Sequence, residues 1–258
     1  MDEIAIRECA TIEELDKCVR LQREVFELPN LEISPRRHLV VSRQAGGWTL
    51  GAFVQGAHRR LVGFVHHLVA IRGADEIVGY SHMMAVAKDY QNRGVGARLK
   101  WAQRERALAE GRNFIKWTWD PMQARNAHFN LNRLGVTVRS YAENLYGTDY
   151  LTDPGQKIDG VVGIDSDRLF AGWELRSARV LELASGAKPR LRAAAIQAIE
   201  IPAKWTDLLK HDADAARREQ LRVRNEFKKA FAAGLVCSGF ERGLKHPRYL
   251  LYDAPAAL

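Results

Sequence analysis

A mixed α/β fold is predicted by two features of the order of elements. Residues 48–54, 61–72 and 80–87 are three consecutive stretches rich in aromatic and β-branched side chains, and they indicate an antiparallel meander. A glycine turn then leads into a helical pattern over residues 94–110 and a strand over residues 114–118. A strand, helix and strand in this order form a right-handed crossover, which places two strands side by side and parallel.

Two helices and a short strand are predicted before the meander. Ile4 and Ile6 alternate with polar neighbours as in a strand, and residues 11–14 (TIEE) have the sequence of a capping box that opens the first helix. Ser34 is predicted to cap the second helix with Pro35 as its first residue, and two glycines at 46–47 end it.

The chain beyond the crossover predicts a second, appended lobe. A helix over residues 124–134 and a strand over residues 136–146 complete the first part, and the pattern then loosens through a stretch rich in glycine and aspartate. Further regular elements are predicted as strands over residues 169–175, 195–201, 235–240 and 249–252 and a helix over residues 212–233. We therefore predict a catalytic domain over residues 1–150 and a C-terminal α/β extension over residues 151–258.

Composition narrows the class of protein. A chain of 258 residues with 47% hydrophobic content is long enough to bury a large core, which excludes a disordered protein. Three cysteines are an odd number outside any metal or redox spacing, so we expect no disulfide framework, no zinc site and a reducing cytoplasm. The longest apolar stretch, residues 61–71, is too short to cross a bilayer, and no signal peptide is evident. The net charge of +8 suits a polyphosphate cofactor, nucleic acid or acidic membranes, and does not choose among them.

The turn at residues 91–97 (QNRGVGA) carries the first chemical signal. Glycines between a strand and a helix let backbone N–H groups converge on an anion, and the helix N-terminus adds a favourable dipole. Gln91 and Arg93 can supply further donors to a phosphate. An isolated glycine motif is more often a plain tight turn, but its position after the meander favours a pyrophosphate site.

A family resemblance follows from this turn and its surroundings. Residues 84–99 (MAVAKDYQNRGVGARL) closely resemble the acyl-CoA-binding motif of the GNAT superfamily, in which Q/R-x-x-G-x-G/A follows the fourth strand. The resemblance covers roughly residues 4–146 and implies a mixed sheet splayed between the fourth and fifth strands, flanked by helices, with acyl-CoA in the gap. Residues 117–130 (WTWDPMQARNAHFN) look like a less-studied bacterial branch, some members of which acylate amino acids with succinyl-CoA.

The resemblance implies particular cofactor contacts. Met84 and Val86 would offer backbone groups to the pantetheine arm and the thioester, and an amide near Val86 would hold the oxyanion. The pyrophosphate would be held by Gln91, Asn92, Arg93, Gly94, Val95, Gly96 and Ala97. We expect acetyl-CoA or succinyl-CoA as cosubstrate and no metal.

Catalytic groups are less defined. His82 and His128 are candidate bases because imidazole titrates near working pH, and Asp120 and Glu143 are further candidates. Many family members have a tyrosine that protonates the leaving thiolate, but its position here is Leu131, so Asn126, Asn130 or another tyrosine could assist. Asn126 is also a candidate contact to the cofactor. A lone histidine is more often a hydrogen-bonded structural residue than a base, and water could be the base instead.

The predicted function is transfer of an acetyl or succinyl group from acyl-CoA to a primary amine of a small molecule, such as an amino acid whose carboxylate Arg125 or Arg139 could bind. Alternatives are an acyltransferase for proteins or other macromolecules, and a non-catalytic acyl-CoA sensor or basic binding module.

Trp117 and Trp119 share one strand face and either pack the core or line the pocket. The helix over residues 212–233 is expected to expose a basic stripe that includes Arg217, Arg218, Arg222, Arg224, Lys228 and Lys229. We expect a solvated face and not a nucleic-acid site, and the lobe either completes the acceptor pocket or forms a homodimer interface.

Overall fold

The computed structural model describes residues 3–26, 28–55, 60–148, 164–186, 194–243 and 245–254. One compact unit contains the described residues up to Lys116, and the other contains those from Trp117 onward. The elements of the first unit are β1 (Ile4–Glu8), α1 (Ile12–Phe26), α2 (Arg36–Gln44), β2 (Trp48–Val54), β3 (Leu61–Arg72), β4 (Glu76–Val86), α3 (Val95–Ala109) and the start of β5 (Phe114–Trp119). The second unit contains the end of β5 and α4 (Ala124–His128), β6 (Thr137–Ala142), β7 (Arg168–Glu174), α5 (Ala178–Ala184), β8 (Gln197–Glu200), α6 (Trp205–His211), α7 (Ala213–Ala232), β9 (Val236–Glu241) and β10 (Arg248–Tyr252).

The first unit is built on the predicted meander and crossover. Strands β1, β2, β3 and β4 are neighbours in that order and pair antiparallel, and β5 lies parallel beside β4. The parallel register covers only Gly79 with Ile115 and Tyr80 with Lys116. Since β4 continues to Val86, its last six residues extend past this pairing.

Helices cover both faces of this sheet. Successive strand residues point to opposite sides, so the strands present apolar side chains for packing on both faces. Leu15 of α1 and Leu39 of α2 pack with Phe64 in one buried cluster. Leu99 of α3 packs with Val65 in another. Burying each such side chain contributes roughly 1.5–3 kcal/mol, so the two layers fix α3 against the sheet.

The starts of the first two helices differ in how well they match their prediction. The capping box is confirmed: the Glu14 amide donates to Thr11 Oγ1 at 3.3 Å, and Glu14 Oε2 accepts from the Thr11 amide at 3.3 Å. The predicted cap of α2 is wrong, because Pro35 occupies the N-cap and the Ser34 side chain makes no capping bond. The Ser34 hydroxyl lies instead 3.3 Å from His82 Nε2.

Strand β4 begins four residues earlier than predicted. The register pairs Arg72 with Glu76 at the end of the hairpin, and an ion pair of 2.6 Å joins Arg72 Nε to Glu76 Oε2. Exposed residues at the tip, Ile71 and Ile77, are also cross-strand partners. The hairpin therefore extends beyond the apolar run that the sequence prediction used.

The second unit contains a sheet in the order β7-β6-β9-β10-β8. Helix α7 packs on it through Phe227, whose ring lies 5.8 Å from Tyr141 and 5.0 Å from Tyr249, measured between centroids. The two seven-residue helices α5 and α6 were not predicted. The predicted domain boundary at residue 150 falls outside the described residues and stays a prediction.

The predicted basic stripe on α7 is wrong at Arg224, which is buried. Its Nη2 lies 2.6 Å from Asp165 Oδ2 and 2.8 Å from Asp167 Oδ1. Asp167 is itself buried, and Tyr141 donates a hydrogen bond of 2.6 Å to its Oδ2. Arg224 therefore forms buried ion pairs with these two aspartates. Arg222 forms ion pairs with Glu219 and Glu226 on the surface of the helix.

Candidate functional site

The turn between β4 and α3 has the backbone shape of an anion cradle. Asn92 and Gly94 both have left-handed backbone angles, with φ of 59° and 80°. Gly94 is the N-cap of α3. Because glycine has no side chain, it cannot accept a hydrogen bond from the first amides of the helix, and no other side chain caps them. The first turn of the helix also has no acidic residue. The first helical hydrogen bond runs from the Arg98 amide to Gly94 O at 3.0 Å, which leaves the amides of Val95, Gly96 and Ala97 before it. These groups and the helix dipole favour a bound anion.

The two glycines of the turn, Gly94 and Gly96, differ in how much free space lies beside them. A Cβ built on Gly94 would meet no atom within 4 Å. A Cβ on Gly96 would lie 3.5 Å from Met84 Cε and 3.8 Å from Val86 Cγ2, which are ordinary contacts. Val95 is buried, so its side chain anchors the helix and only its backbone can serve a ligand. The open side of the turn is therefore at Gly94.

Gln91 holds the turn to the strand. Its Nε2 donates to Val86 O at 3.0 Å, across the end of β4. The sequence had suggested this side chain as a phosphate donor. The observed bond gives it a positioning role, although the amide group has a second N–H.

The last residues of β4 present their backbone on one side of the strand. The Ala87 amide donates to Val62 O at 2.9 Å, toward β3. Because amides alternate along a strand, those of Val86 and Met84 point away from β3. This is the strand edge that extends past the pairing with β5, as the resemblance requires of a pantetheine contact.

His82 occupies a β-bulge on β4. His66 pairs with Met83 and His67 with Ser81, so His82 is an extra residue on this strand. Bulges redirect a side chain and are frequent beside active sites. The ring is exposed, lies 5.2 Å from the His38 ring between centroids, and is contacted by Ser34 Oγ. Loss of hydration on the packed side, and then the nearby His38, lower the pKa of His82, so the imidazole is neutral at neutral pH.

A network of buried polar side chains reaches Ser81, the residue next to the bulge. Lys100 Nζ donates to Ser81 Oγ at 2.8 Å and to Gln103 Oε1 at 3.0 Å. Gln103 Nε2 lies 3.2 Å from His67 Nδ1, and the His67 ring stacks on Trp48 at 4.0 Å. Burial lowers the pKa of Lys100 well below its usual value. The sequence analysis did not find this network, because its side chains come from four separate elements, β2, β3, β4 and α3.

The remaining candidates lie in the second unit. Asp120 Oδ1 accepts from the Met122 amide at 2.8 Å, and Oδ2 accepts from Gln123 Nε2 at 3.2 Å. Both carboxylate oxygens thus shape the turn into α4, while burial raises the pKa of Asp120. Asn126 is exposed on α4. His128 is half-buried, and its Nδ1 has no hydrogen-bond partner among the described residues. Burial, then Arg242 and Arg133, lower the pKa of His128.

The position at which many family members have a tyrosine is occupied here by Leu131, which has no hydroxyl group. Leu131 is fully buried within a π-helical turn, Phe129–Arg133. Tyr141 is unsuited to proton transfer, because burial and its bond to Asp167 raise its pKa. Tyr146 is half exposed, and its hydroxyl lies 3.3 Å from Thr118 Oγ1 on β5. Both Trp117 and Trp119 are buried, and Trp117 packs edge-on against Trp173, so both tryptophans pack the core.

Two further features of the described residues concern metal sites and membrane-spanning helices. Within the described ranges, no group of three or more His, Cys, Asp or Glu side chains is placed to hold a metal ion. Over the same residues, no helix is both long and apolar enough to cross a membrane. Cys9, Cys18 and Cys237 form no disulfide bond, and the sulfur atoms of Cys9 and Cys18 lie 3.7 Å apart in the core.

Together, the fold and this turn define a mixed α/β protein in which the helix after the fourth strand starts without a side-chain cap, in the shape of an anion cradle. A model of the acetyltransferase (GNAT) family matches residues 11–135. Over these residues, just under half of the chain, the protein is similar to the GNAT acetyltransferases, and its mixed sheet, splayed and flanked by helices, has the predicted fold. A further C-terminal region follows the part that the family model matches.

Solved structures agree on the fold. The ribosomal-protein-S18-alanine N-acetyltransferase of Escherichia coli superposes with a TM-score of 0.51 at 14% identity, over 68% of this chain and 96% of that one. A putative acetyltransferase of the GNAT family from Desulfovibrio desulfuricans gives 0.51 at 13% identity, over 67% and 99%. A chain of the NatC complex bound to Gag peptide and CoA gives 0.50 at 15% identity, over 67% and 99%. No curated protein sequence matches the chain. Identities this low bear on the fold alone.

Proposed function

We propose that this protein transfers an acetyl or succinyl group from acyl-CoA to a primary amine of a small molecule, by direct attack in a ternary complex. The observation that carries the proposal is the uncapped start of α3, where the amides of Val95, Gly96 and Ala97 follow a left-handed Gly94 with open space beside it. Three converging amides and a helix dipole suit the pyrophosphate of the cofactor.

The end of β4 would then receive the rest of the cofactor. The amides of Met84 and Val86 point away from β3, so they can pair with the amide groups of the pantetheine arm. The same direction lets the Val86 amide donate to the oxyanion that forms when the amine attacks the thioester carbon. One such donor is typically worth about 3 kcal/mol of barrier.

We assign His82 as the group that accepts the proton of the amine. It is neutral at neutral pH, it is exposed, and the bulge places it two residues before Met84 on the same strand. Its proximity to Ser34 Oγ orients the ring. His128 and Asn126 remain candidates for the acceptor side or for the leaving thiolate, while the hydrogen bonds of Asp120 favour a structural role. A thiolate with a pKa near about 8.5 leaves without a strong acid, so Leu131 in place of a tyrosine is tolerable.

The cofactor assignment is tested by one substitution with a matched control. Gly94 and Gly111 have similar backbone angles, with φ of 80° and 77°, and a Cβ on either would meet nothing within 4 Å. Alanine at either position costs about 1–2 kcal/mol of stability through the left-handed backbone. Only Gly94→Ala places a methyl group in the cradle, so it alone should weaken CoA binding, by tenfold or more in calorimetry.

The outcomes separate strain from obstruction. A loss of CoA affinity in Gly94→Ala with wild-type affinity in Gly111→Ala supports the cradle. Equal affinities in both variants would remove the cradle assignment. Parallel titrations with acetyl-CoA and succinyl-CoA identify the acyl group, and an amine and peptide panel distinguishes a small-molecule acceptor from a protein.

A further inference from the structure

Two arginines meet at one aromatic ring beside the turn. The guanidinium carbon of Arg93 lies 5.3 Å from the centroid of the Tyr90 ring, and that of Arg60 lies 5.7 Å from it. Arg93 belongs to the turn itself, whereas Arg60 directly precedes β3. Both side chains are exposed. Two separate segments of the chain thus bring positive charge to the same place.

No ion pair holds either of these two arginines in the part of the chain that the structure describes. Among the described residues, neither Arg60 nor Arg93 is paired with a carboxylate, and both lie over the ring of Tyr90. Many arginines of the first unit do have a carboxylate partner, as Arg7 has Glu14 and Arg106 has Glu110. Each guanidinium group is attracted to the ring face, but the two like charges repel each other, so an anion that joins them would stabilise the arrangement further.

The chemistry of the proposed cofactor supplies such an anion. CoA carries a pyrophosphate and, on the ribose, a separate 3′-phosphate monoester. A phosphate monoester has a charge of about −1.5 to −2 at neutral pH and accepts bidentate hydrogen bonds from guanidinium groups. The amides at the start of α3 are suited to the pyrophosphate, so the monoester requires a second set of donors.

We propose that Arg60 and Arg93, gathered around Tyr90, bind the 3′-phosphate of CoA and so make the protein distinguish CoA from 3′-dephospho-CoA. The inference rests on the proposed acyl-CoA function. It assigns the discrimination to side chains beside the turn, whereas the backbone of the turn binds the part that both molecules share.

The test compares the affinities of CoA and 3′-dephospho-CoA by calorimetry, in the wild-type protein and in Arg60→Ala, Arg93→Ala and the double variant. Wild type should bind CoA about tenfold or more tightly than the dephospho form, since hydrogen bonds between charged groups are the strong ones. The ratio should decrease in each single variant and approach one in the double variant. Arg20→Ala removes an exposed arginine of α1 and controls for the loss of overall charge. It should keep the wild-type ratio.

Each outcome bears on a different statement. If wild type binds both molecules equally, or if the ratio survives in the double variant, the assignment of Arg60 and Arg93 is wrong while the cofactor proposal stands. If wild type binds neither molecule, the proposed function fails, and this inference fails with it. Melting temperatures of all variants should match wild type, because the substituted side chains are exposed.

Discussion

Gly79→Ala should destabilise the protein strongly, although the backbone of Gly79 lies in a strand and can accept any residue. A Cβ at this position would lie 2.3 Å from Cε1 and 2.8 Å from Nε2 of His67, and 3.0 Å from Ile115 Cγ1. The distance to Cε1 is more than about 1 Å shorter than an ordinary contact between carbon atoms, which is about 3.5–4.0 Å. Either the ring or the strand must therefore move.

The size of the effect follows from how firmly His67 is held. The ring is fully buried, stacks on Trp48 at 4.0 Å with an interplanar angle of 2°, and lies within hydrogen-bond distance of Gln103. Overpacking costs about 1–3 kcal/mol, and losing the hydrogen bond adds about 1 kcal/mol. We expect the free energy of unfolding to decrease by about 3 kcal/mol. Gly79 also pairs with Ile115, so a shift would disturb the short junction of β4 and β5.

Urea denaturation followed by circular dichroism measures this loss, with Gly96→Ala as control. A Cβ on Gly96 has its nearest neighbour at 3.5 Å, and alanine inside a helix is favoured over glycine by roughly 0.5–1 kcal/mol. Gly96→Ala should thus be neutral or stabilising. In a His67→Ala background the Gly79→Ala substitution should cost much less, because the clashing ring is gone. A Gly79→Ala protein within about 0.5 kcal/mol of wild type would refute the packing argument.

Two further predictions concern the histidines. His82→Ala should lower kcat by about 10²–10⁴-fold with CoA affinity retained, measured by thiol release against His246→Ala, an exposed control; unchanged kcat would remove the base assignment. Burial lowers the pKa of both His66 and His67 to about 3, below the value of about 6.5 in an unfolded chain. The unfolded state then binds more protons between these values, so their contribution is complete above about pH 6.5 and is lost as the pH falls toward about 3, by about 1.4 kcal/mol per pH unit for each ring. His66→Gln should give a shallower decline in the free energy of unfolding between about pH 7 and about pH 5, and a profile parallel to wild type would contradict this account.

The features that sequence predicted well are local ones. The capping box at Thr11 and Glu14 and the left-handed turn at Gly94 are specified by residues within a few positions of each other. The meander and crossover followed from periodicity over whole strands and helices. These suffice to place the candidate cradle, whose role as a CoA site stays a prediction.

The features that sequence missed depend on partners distant in the chain. Arg224 has the spacing of a solvated helix residue, but Asp165 and Asp167 meet it from another segment. Ser34 has the identity of a helix cap, but its hydroxyl lies beside His82, 48 positions away. The same limit applies to Arg60, which no motif connects to Tyr90. Short helices such as α6 contain too few residues to show a periodic pattern.

The measurement that tests the central claim most directly is acyl transfer itself. Wild-type protein is incubated with acetyl-CoA or succinyl-CoA and a panel of small amines, amino acids and peptides, and free thiol and the mass of each acceptor are followed together. We predict release of CoA in equal amount to an N-acylated small amine, with Gly94→Ala far slower than Gly111→Ala. Tight binding of acyl-CoA without any acylated acceptor, or equal turnover in the two glycine variants, would contradict the account.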